Sequence, residues 1–464
     1  MIILDRSAKK PLYMQIYEHI RNEIIQGELA EGHRLSATRT QAEKLGVSRN
    51  TVEQAYMQLC SEGYLENRRG SGYYVRYVDL ALDREQFDFE QFPDFHRERP
   101  ECRSYRYDMK YGNCRIEEFP LTKWKRTMER AVSSLAERKL TAYGDHCGDW
   151  ELRRYLAKYL ERSRGVMCSP DQIIIGSGAQ FFISLLCQLI RPSFCAVEEP
   201  GYEGARAVLE NHGVKPVPVE VTAEGINLDV LSIVRPQAVY VTPSHQFPMG
   251  AVMPIQNRME LLRMAQQEDF YIIEDDYDSV FRYTAKAIPA MQGLDQYGRV
   301  IYLGSVSKVL SPALRLAYMV LPAALKTKYD MWFSQYHNTV SSLLQSTLCI
   351  FMEEGNWDRH IRRITLANKR KHDILSYELE NGLSSDFCLW GKGAGLHLIL
   401  ESKSLTAEEM IVRNEKKGVK LYPMKQNFAL GTSRNLVMAG FGGISLDEIQ
   451  DASHCIVQAL TDWY

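Results

Sequence analysis

One lysine of the sequence stands where covalent chemistry is possible. Lys308 follows the apolar run "VIYLG" in "VIYLGSVSKVLSPALRLAY", flanked by Ser305 and Ser307. A lysine is normally a solvated surface residue, but at the end of a buried strand it can form a Schiff base with an aldehyde. Arg315, seven residues further on, has a planar guanidinium that can bind a phosphate through two hydrogen bonds. The stretch therefore favours a site for a phosphorylated aldehyde.

Two other stretches supply groups that such a ligand needs. "YIIEDDYDSVF" ends an apolar run with Asp275 and Tyr277, and a buried acid there can hold a protonated ring nitrogen. "IIIGSGAQFF" indicates a strand, a Ser-Gly-Ala turn and a helix whose first N–H groups can hold an anion. Taken singly, these pieces fit a solvated or structural turn about as well. Taken together with Lys308 and Arg315, they match pyridoxal phosphate.

The surrounding segments predict the elements that position these groups. Short apolar runs alternate with segments of helix length from about residue 105 onward; the runs are "QIIIG", "FCAVEE", "AVYVTP", "YIIEDD", "VIYLGS" and "LAYMVLP". This alternation predicts a mainly parallel sheet with helices on both faces. In such sheets the ligand site lies at the carboxyl ends of the strands, where the candidate residues stand.

The N-terminal residues carry a different signature. Leu12, Ile16, Ile20 and Ile24 recur every four residues, which predicts a helix that ends at Gly27. "TRTQAEKLG" and "VSRNTVEQAYMQL" then predict two helices joined by a tight turn, a helix-turn-helix. The start of the second helix would face DNA with its polar residues, which are Ser48, Arg49, Asn50, Thr51 and Gln54.

A hairpin is predicted after these helices. "GYLENRRGSGYYV" indicates two short strands around a turn, a wing that carries Arg68 and Arg69 at its tip. Residues 1–78 hold 11 Lys and Arg against 9 Asp and Glu, so DNA binding must come from the placement of single arginines. The alternative, a helical subdomain with solvated arginines, explains the order of the three elements less well.

Residues 1–78 resemble the GntR-type winged helix along their whole length, from "GELAEGHRLSATR" through "LGVSRNTVEQAY" to "GSGYYV". Ala37 stands where that family usually has a capping serine, so we expect capping to pass to Ser36 or Thr38. Arg39 keeps its family position and is expected at a DNA phosphate. The resemblance implies a dimeric transcription factor that reads paired half-sites in double-stranded DNA.

Residues 105–464 resemble a class I/II aminotransferase of fold type I, on the motifs "YGDHCGDWELRRYL", "EEPGYEGAR", "TPSHQFPMG", "EDDYDS" and "SKVLSPALRLAY". Behind a GntR-type winged helix and a charged linker at 79–104, they resemble a MocR/GabR-type regulator. The resemblance implies an N-terminal winged helix-turn-helix and an α/β pyridoxal-phosphate domain. That domain would combine a large, mainly parallel sheet with a small α/β subdomain, mainly after about residue 340.

The resemblance also assigns roles to residues. Lys308 would carry the cofactor, Asp275 would pair with its ring nitrogen, Tyr277 would approach its ring hydroxyl and Tyr202 would stack on its ring. The phosphate would be held by Ser177, Gly178, Ala179, Ser305 and Arg315. Tyr143 would reach the cofactor of the neighbouring subunit, and Arg434 would bind a carboxylate of a substrate or effector.

One motif departs from ordinary aminotransferases. Phe247 in "HQFPMG" stands where those enzymes have the asparagine that touches the ring hydroxyl. His245 or Gln246 could substitute for it. The exchange is usual among the regulators and weakens the expectation of efficient transamination.

Composition sets the remaining bounds. The 464 residues allow two to four domains, the formal net charge is −2, and no apolar run reaches the roughly 18 residues of a membrane span. The ten cysteines form no Cys-x-x-Cys pair or zinc-like cluster, so no metal site is expected. The start lacks the order of a secretion signal, and a cytoplasmic location is expected.

We therefore predict a homodimeric, pyridoxal-phosphate-dependent transcriptional regulator that senses a small amino compound or the cofactor itself. The alternative is an active aminotransferase with autoregulatory DNA binding.

Overall fold

The computed structural model describes residues 2, 4–8, 10–77, 104–136, 141–283 and 288–461. These residues form two compact units, one within Met1–Cys102 and one within Arg103–Tyr464. The predicted linker at 79–104 lies outside the described residues, apart from Ser104. None of the described helices combines the length and the apolar composition that a membrane crossing requires.

The N-terminal unit is a three-helix bundle with a two-stranded wing. Its elements are α1 (Leu12–Ile25), α2 (Thr38–Leu45), α3 (Arg49–Ser61), β1 (Leu65–Arg68) and β2 (Gly72–Val75). The apolar stripe of α1 is buried with α3, because Ile16, Ile20 and Ile24 share one core with Val52 and Leu59. The predicted winged helix-turn-helix is therefore confirmed.

The ends of α2 and α3 are capped differently. Ser48 accepts a hydrogen bond from the N–H of Thr51 at 3.2 Å and so caps α3 as predicted. Helix α2 begins after Ala37 with no side-chain cap, so the expectation that Ser36 or Thr38 would take over capping is wrong. The carbonyl of Ser36 instead accepts from the Tyr56 hydroxyl at 3.2 Å, which ties this segment to α3.

The second unit alternates strands and helices. Its strands are β3 (Tyr107–Asp108), β4 (Ile173–Gly176), β5 (Phe194–Glu199), β6 (Lys215–Thr222), β7 (Gly225–Ile226), β8 (Ala238–Val241), β9 (Tyr271–Asp276), β10 (Val300–Ser305), β11 (Ala317–Val320), β12 (Phe387–Trp390), β13 (His397–Ser402), β14 (Val419–Lys420), β15 (Tyr422–Pro423) and β16 (Asn435–Gly440). Its helices are α4 (Leu121–Ala136), α5 (Trp150–Arg164), α6 (Ala179–Ile190), α7 (Glu203–Asn211), α8 (Leu228–Val234), α9 (Ile255–Gln267), α10 (Ala323–Phe333), α11 (Ser342–Glu353), α12 (Asn356–Gly382), α13 (Ala407–Lys416) and α14 (Ile449–Thr461).

Eight strands form the large sheet, in the order β4-β11-β10-β9-β8-β5-β6-β7. The pairs from β10 through β9, β8 and β5 to β6 are parallel, whereas β11 runs antiparallel to both its neighbours. The six predicted strands are all present, and their nearly continuous burial reflects a sheet covered on both faces. The fold class is therefore the predicted one.

Strand β6 was not predicted from its sequence, "KPVPVEVT". Pro216 and Pro218 lack the N–H that a central strand needs. The structure accommodates them because β6 pairs with β5 on one side, and with β7 only at Val221 and Thr222 on the other.

A smaller antiparallel sheet follows in the chain, in the order β12-β13-β16-β15. Residues near the start of the unit join this region, because β3 pairs in parallel with β14, Tyr107 opposite Val419. Helix α12 leads to this sheet and donates from its buried His360 to the Val309 carbonyl at 2.7 Å, next to Lys308. The small subdomain is thus anchored close to the lysine.

Candidate functional site

A cavity of about 290 Å³ opens at the carboxyl ends of the parallel strands. Its lining residues are Tyr111, Gly178, Ala179, Gln180, Tyr202, Glu203, Tyr240, Thr242, Phe247, Asp275, Tyr277, Ser305, Ser307, Lys308, Pro312 and Arg315. The structure thus brings together most of the residues that the sequence predicted for one cofactor, although they come from four separate stretches of the chain.

Lys308 projects into this cavity from the turn after β10. Its Nζ lies 3.8 Å from the centre of the Tyr111 ring. Burial lowers the pKa of the Lys308 ammonium, although the carboxylates of Asp278 and Asp275 partly oppose this effect. A Cβ at Gly112 would lie 2.5 Å from the same Nζ, so glycine leaves room for the lysine. A lowered pKa increases the fraction of neutral amine, and the neutral amine is the form that attacks an aldehyde.

Asp275 reaches the cavity because side chains alternate along β9. Its neighbours serve other partners: Glu274 accepts backbone N–H groups at 2.8 and 3.0 Å, and Asp276 binds Arg164 at 2.6 Å. Asp275 itself accepts from the hydroxyl of Tyr240 on the adjacent β8 at 2.5 Å. Burial raises the pKa of Asp275 to about 7. Among the three acids that end β9, Asp275 is therefore the one that faces the cavity.

The opposite end of the cavity suits an anion. Helix α6 starts at Ala179, directly after Gly178, whose φ of 130° favours glycine. A Cβ at Gly178 would lie 2.6 Å from a guanidinium nitrogen of Arg315, so only glycine leaves this approach open. Ser305 contributes its hydroxyl, which also accepts from the N–H of Ser307 at 3.0 Å. Backbone donors, a hydroxyl and a guanidinium thus converge at one end, as a phosphate requires.

Aromatic rings form the walls between these two ends. Phe247 lies with its ring centre 5.2 Å from that of Tyr111, 5.9 Å from that of Tyr277 and 6.2 Å from that of Tyr202. The Tyr277 hydroxyl donates to the His245 carbonyl at 2.8 Å. A planar ring can be held between such faces by stacking.

His245 and Gln246 are turned away from the described lining. His245 Nδ1 lies 2.9 Å from the Asp278 carboxylate, and both side chains are buried. The Gln246 amide donates to the carbonyls of Pro200 and Phe247 at 2.8 and 2.6 Å. These contacts explain why Phe247, rather than either polar neighbour, faces the cavity.

Ser177, Tyr143 and Arg434 are not among the described lining residues either. Ser177 lies one residue ahead of Gly178 and is half-buried, whereas Tyr143 is 84% exposed and stacks on His337 with ring centres 4.1 Å apart. Arg434 donates to Glu401 through two nitrogens, each at 2.7 Å. Its predicted partner, a ligand carboxylate, therefore has a competitor within the protein.

One group of possible metal ligands occurs among the described residues. Asp145, His146 and Cys147 place their ligand atoms within 4.8 Å of one another. His146 lies 3.1 Å from Asp330, to which Lys326 also donates at 2.5 and 2.6 Å. These groups already have protein partners, and we assign no metal to them.

Two segments beside the cavity are joined by six hydrogen bonds, which we call the clasp. It links residues 199–206, which contain Tyr202, to residues 425–430 of the C-terminal region. The Glu199 carboxylate accepts hydrogen bonds from the N–H groups of residues 429 and 430 at 3.0 Å each. The Asn427 carbonyl accepts from the Gly201 N–H, and the Asn427 side-chain amide donates to the Gly201 carbonyl. Asn427 also donates to Glu203 at 2.8 Å, and Arg206 to the carbonyl of residue 426 at 2.6 Å.

Several lining residues escaped the sequence analysis; they are Tyr111, Gln180, Glu203, Tyr240, Thr242, Ser307 and Pro312. Tyr240 gave a usable signal, because a hydroxyl inside the apolar strand "AVYV" requires a partner. Tyr111 gave none, because it lies in an irregular stretch far from the other motifs.

The N-terminal unit presents its predicted DNA-binding residues at the surface. Ser48, Arg49, Asn50 and Gln54 are exposed at the start of α3, and Thr51 is half-buried. Arg39 on α2 and Arg49 on α3 each face a glutamate one turn later, at 3.4 and 3.7 Å. Exposed pairs of this kind are weak, so both guanidinium groups can exchange their partner for a phosphate.

The wing holds its two arginines differently. Arg68 is the last residue of β1; it contacts Glu66, and its guanidinium carbon lies 4.5 Å from the centre of the Tyr74 ring. Arg69 is exposed in the turn between β1 and β2, where Gly70 adopts a φ of 80°. The tip of the wing is therefore Arg69, with Arg68 packed along its side.

Two family models match the chain. Residues 12–75 match the bacterial regulatory proteins of the gntR family, and residues 108–382 match aminotransferase class I and II. The second match covers the described cavity from Tyr111 to Arg315.

Similar proteins span both the winged helix and the aminotransferase-like domain. The HTH-type transcriptional regulator YdeL of Bacillus subtilis is 36% identical, with 97% of this chain and 96% of that protein covered. The probable rhizopine catabolism regulatory protein MocR of Rhizobium meliloti is 34% identical, with coverages of 96% and 92%.

Solved structures match the second unit. LysN, the α-aminoadipate aminotransferase of Thermus thermophilus, is 26% identical with a TM-score of 0.69, covering 78% of this chain and 93% of that one. Its structure holds a phosphopyridoxyl-leucine adduct. The aminotransferase class I and II fold thus implies pyridoxal phosphate binding, and the GntR winged helix implies DNA binding. The chain belongs to the MocR-type family of transcriptional regulators, in which a GntR winged helix is joined to an aminotransferase class I and II domain.

Proposed function

We propose that this regulator holds pyridoxal phosphate at Lys308, binds a small primary amine there, and changes the affinity of its winged helices for DNA in response. The observation that carries this proposal is the convergence of Lys308, Asp275, Gly178 and Arg315 on one cavity. The regulator would act as a homodimer on paired half-sites, with Tyr143 reaching the neighbouring subunit's site.

The residues present fit the cofactor. The Gly178 cradle and Arg315 match a phosphate, and the buried carboxyl of Asp275 matches a ring nitrogen. Tyr111 has a buried hydroxyl with no protein partner among the described residues, as expected for a wall that faces a polar ligand. When bound, pyridoxal phosphate supplies an aldehyde that condenses reversibly with primary amines.

The chain's own groups then have separate tasks. Lys308 supplies the amine, and burial lowers the pKa of its ammonium, which favours the neutral form. Tyr240 holds the Asp275 carboxyl in place through its 2.5 Å hydrogen bond. Tyr202 and Phe247 line the cavity with aromatic faces, which would flank the cofactor ring and exclude water from it.

DNA binding is assigned to the N-terminal unit. Arg49, Asn50 and Gln54 at the start of α3 would reach base edges, with Ser48 and Thr51 at the backbone. Arg39, Arg68 and Arg69 would meet phosphates, and their exposure leaves them free to do so. A ligand can shift DNA affinity only by binding two conformations differently.

One experiment tests the proposal as a whole. An operator would first be selected from random duplexes with the full-length protein. Its affinity would then be measured for the cofactor-free protein, the cofactor-loaded protein, and the loaded protein with a panel of amines. We expect at least one amine to change the affinity of the loaded protein, and no amine to change that of Lys308→Ala. Equal affinity in every state would refute the sensing function.

The cofactor itself is a second candidate effector. The pyridoxine biosynthesis transcriptional regulator PdxR of Corynebacterium glutamicum is 28% identical over 86% of this chain. In that case the cofactor-free and cofactor-loaded forms would differ in DNA affinity, and amines would add nothing. The same measurements separate the two candidates.

A further inference from the structure

The basic residues that line the cavity already have roles in holding the cofactor. Among its described lining residues, only Lys308 and Arg315 are basic. Lys308 is the group that meets the aldehyde, and Arg315 points at Gly178, at the phosphate end. Neither is left for a second anionic group on a ligand.

Arg434 is not among the described lining residues, and its charge already has a partner in the protein. It stands just before β16, whose other end, Gly440, packs on the Tyr111 backbone; a Cβ at Gly440 would lie 2.6 Å from the Tyr111 Cα. Six steps along the chain separate the Arg434 Cα from the Gly440 Cα, which amounts to about 20 Å at ~3.3 Å per residue. Its guanidinium also donates twice to Glu401.

The two histidines behind the aromatic walls do not supply it either. His397 hydrogen-bonds the Pro248 carbonyl through Nε2 at 2.8 Å, which fixes the proton there, and burial lowers its pKa to about 3. It is therefore neutral near pH 7. His245 is paired with Asp278, so any positive charge on it is already balanced.

The rest of the described lining is aromatic, acidic, small or neutral and polar, and it adds no basic residue. Tyr111, Phe247 and Tyr202 provide ring faces, and Met438 of β16 shares an apolar cluster with Phe247. Glu203 adds a carboxylate. A ligand carboxylate placed here would lose its hydration and gain no cation in return from the described lining residues of the same protomer.

We infer that the effector is a primary amine without a carboxylate, whose apolar or aromatic tail lies against Tyr111 and Phe247. This inference rests on the proposed function, because the amine enters through the aldehyde held at Lys308. It replaces the expectation that Arg434 binds a carboxylate of a substrate or effector.

The test uses two matched pairs of amines that differ by a carboxylate: 2-phenylethylamine with phenylalanine, and hexylamine with 6-aminohexanoate. Each would be titrated into the cofactor-loaded protein, with the change in cofactor absorbance as readout. The same titration with free pyridoxal phosphate corrects for the intrinsic reactivity of each amine. After correction, we expect the carboxylate-free member to bind at least about 10-fold more tightly in each pair.

Three variants sharpen the result. Arg434→Ala and Glu401→Gln should leave all four corrected affinities unchanged, whereas Phe247→Ala should weaken binding of 2-phenylethylamine. Equal or tighter binding of the carboxylate members, no response to any of the four, or a loss of amino acid binding in Arg434→Ala overturns the inference. A protein that shows no cofactor absorbance at all overturns the proposed function as well.

Discussion

The two units of this chain use their cations in opposite ways. Arg39 and Arg49 of the N-terminal unit are 85% and 65% exposed and have only weak glutamate partners. Lys308 of the second unit is half-buried, with its Nζ over the ring of Tyr111 and its pKa lowered by burial. DNA, a polyanion, attracts exposed cations that can exchange a glutamate partner for a phosphate. Attack on an aldehyde instead needs an amine whose lowered pKa favours the neutral form.

The largest effect is expected when the lysine of the cavity is removed. Lys308→Ala should abolish covalent attachment of pyridoxal phosphate, because no other described lining residue carries a primary amine. Borohydride reduction followed by peptide mass spectrometry checks this. DNA binding by the cofactor-free variant should match that of the cofactor-free parent, and a tagged peptide that lacks position 308 would contradict the assignment.

Removal of an exposed arginine of the N-terminal unit should weaken DNA binding and leave cofactor binding unchanged. Arg49→Ala should weaken operator binding by about 1–3 kcal/mol, or roughly 5- to 160-fold, if Arg49 contacts a base. Arg69→Ala should act more uniformly across sequences and reduce the salt slope by about one. Fluorescence anisotropy at several salt concentrations measures both, with Lys10→Ala, at a cation paired with Glu18, as control. Cofactor absorbance should not change in any of them.

The buried acid offers a test through pH. Burial raises the pKa of Asp275 to about 7, far above its value in the unfolded chain. The folded state therefore holds this proton up to about pH 7, and the stability it confers is lost as the pH rises through that value. In the cofactor-free protein, Asp275→Asn should raise the thermal midpoint by several degrees at pH 8 and by less at pH 5. An equal shift at both values would mean that Asp275 is ionised throughout.

The smallest effect concerns a cap. Ser48→Ala should destabilise the N-terminal unit by about 1 kcal/mol, because it removes the acceptor for the N–H of Thr51. Thermal unfolding followed by circular dichroism checks this, and Ser48→Asp should restore most of the loss. If Ser48 also touches DNA phosphate, the aspartate variant will bind the operator more weakly than the alanine variant.

Secondary structure was predicted best where the spacing of apolar residues and a recognisable motif indicated the same element. The stripe of Ile16, Ile20 and Ile24 and the six apolar runs of the large sheet gave elements directly, since burial imposes the pattern. Strand β6 was missed because its prolines argue against a strand, and only its edge position makes them acceptable. Edge position is a property of the sheet, so no local pattern reveals it.

The site was predictable where one stretch supplies a charged group at a strand end. Lys308, Asp275 and Arg315 are of this kind, and the structure places them in one cavity. Tyr111 and Glu203 could not be foreseen, because chain topology alone brings them there. The pairing of Arg434 with Glu401 could not be foreseen either, because Glu401 lies on the neighbouring strand β13, 33 residues away.

The clasp between residues 199–206 and 425–430 has a consequence for the response as a whole. Its six hydrogen bonds share two short segments, so they are expected to form and break together. Packed elements held in this way have discrete arrangements rather than a continuum. Each protomer built on such a contact would switch between two arrangements. A ligand that favours one of them would shift the two populations along a saturation curve, and a stronger clasp would move the midpoint of that curve.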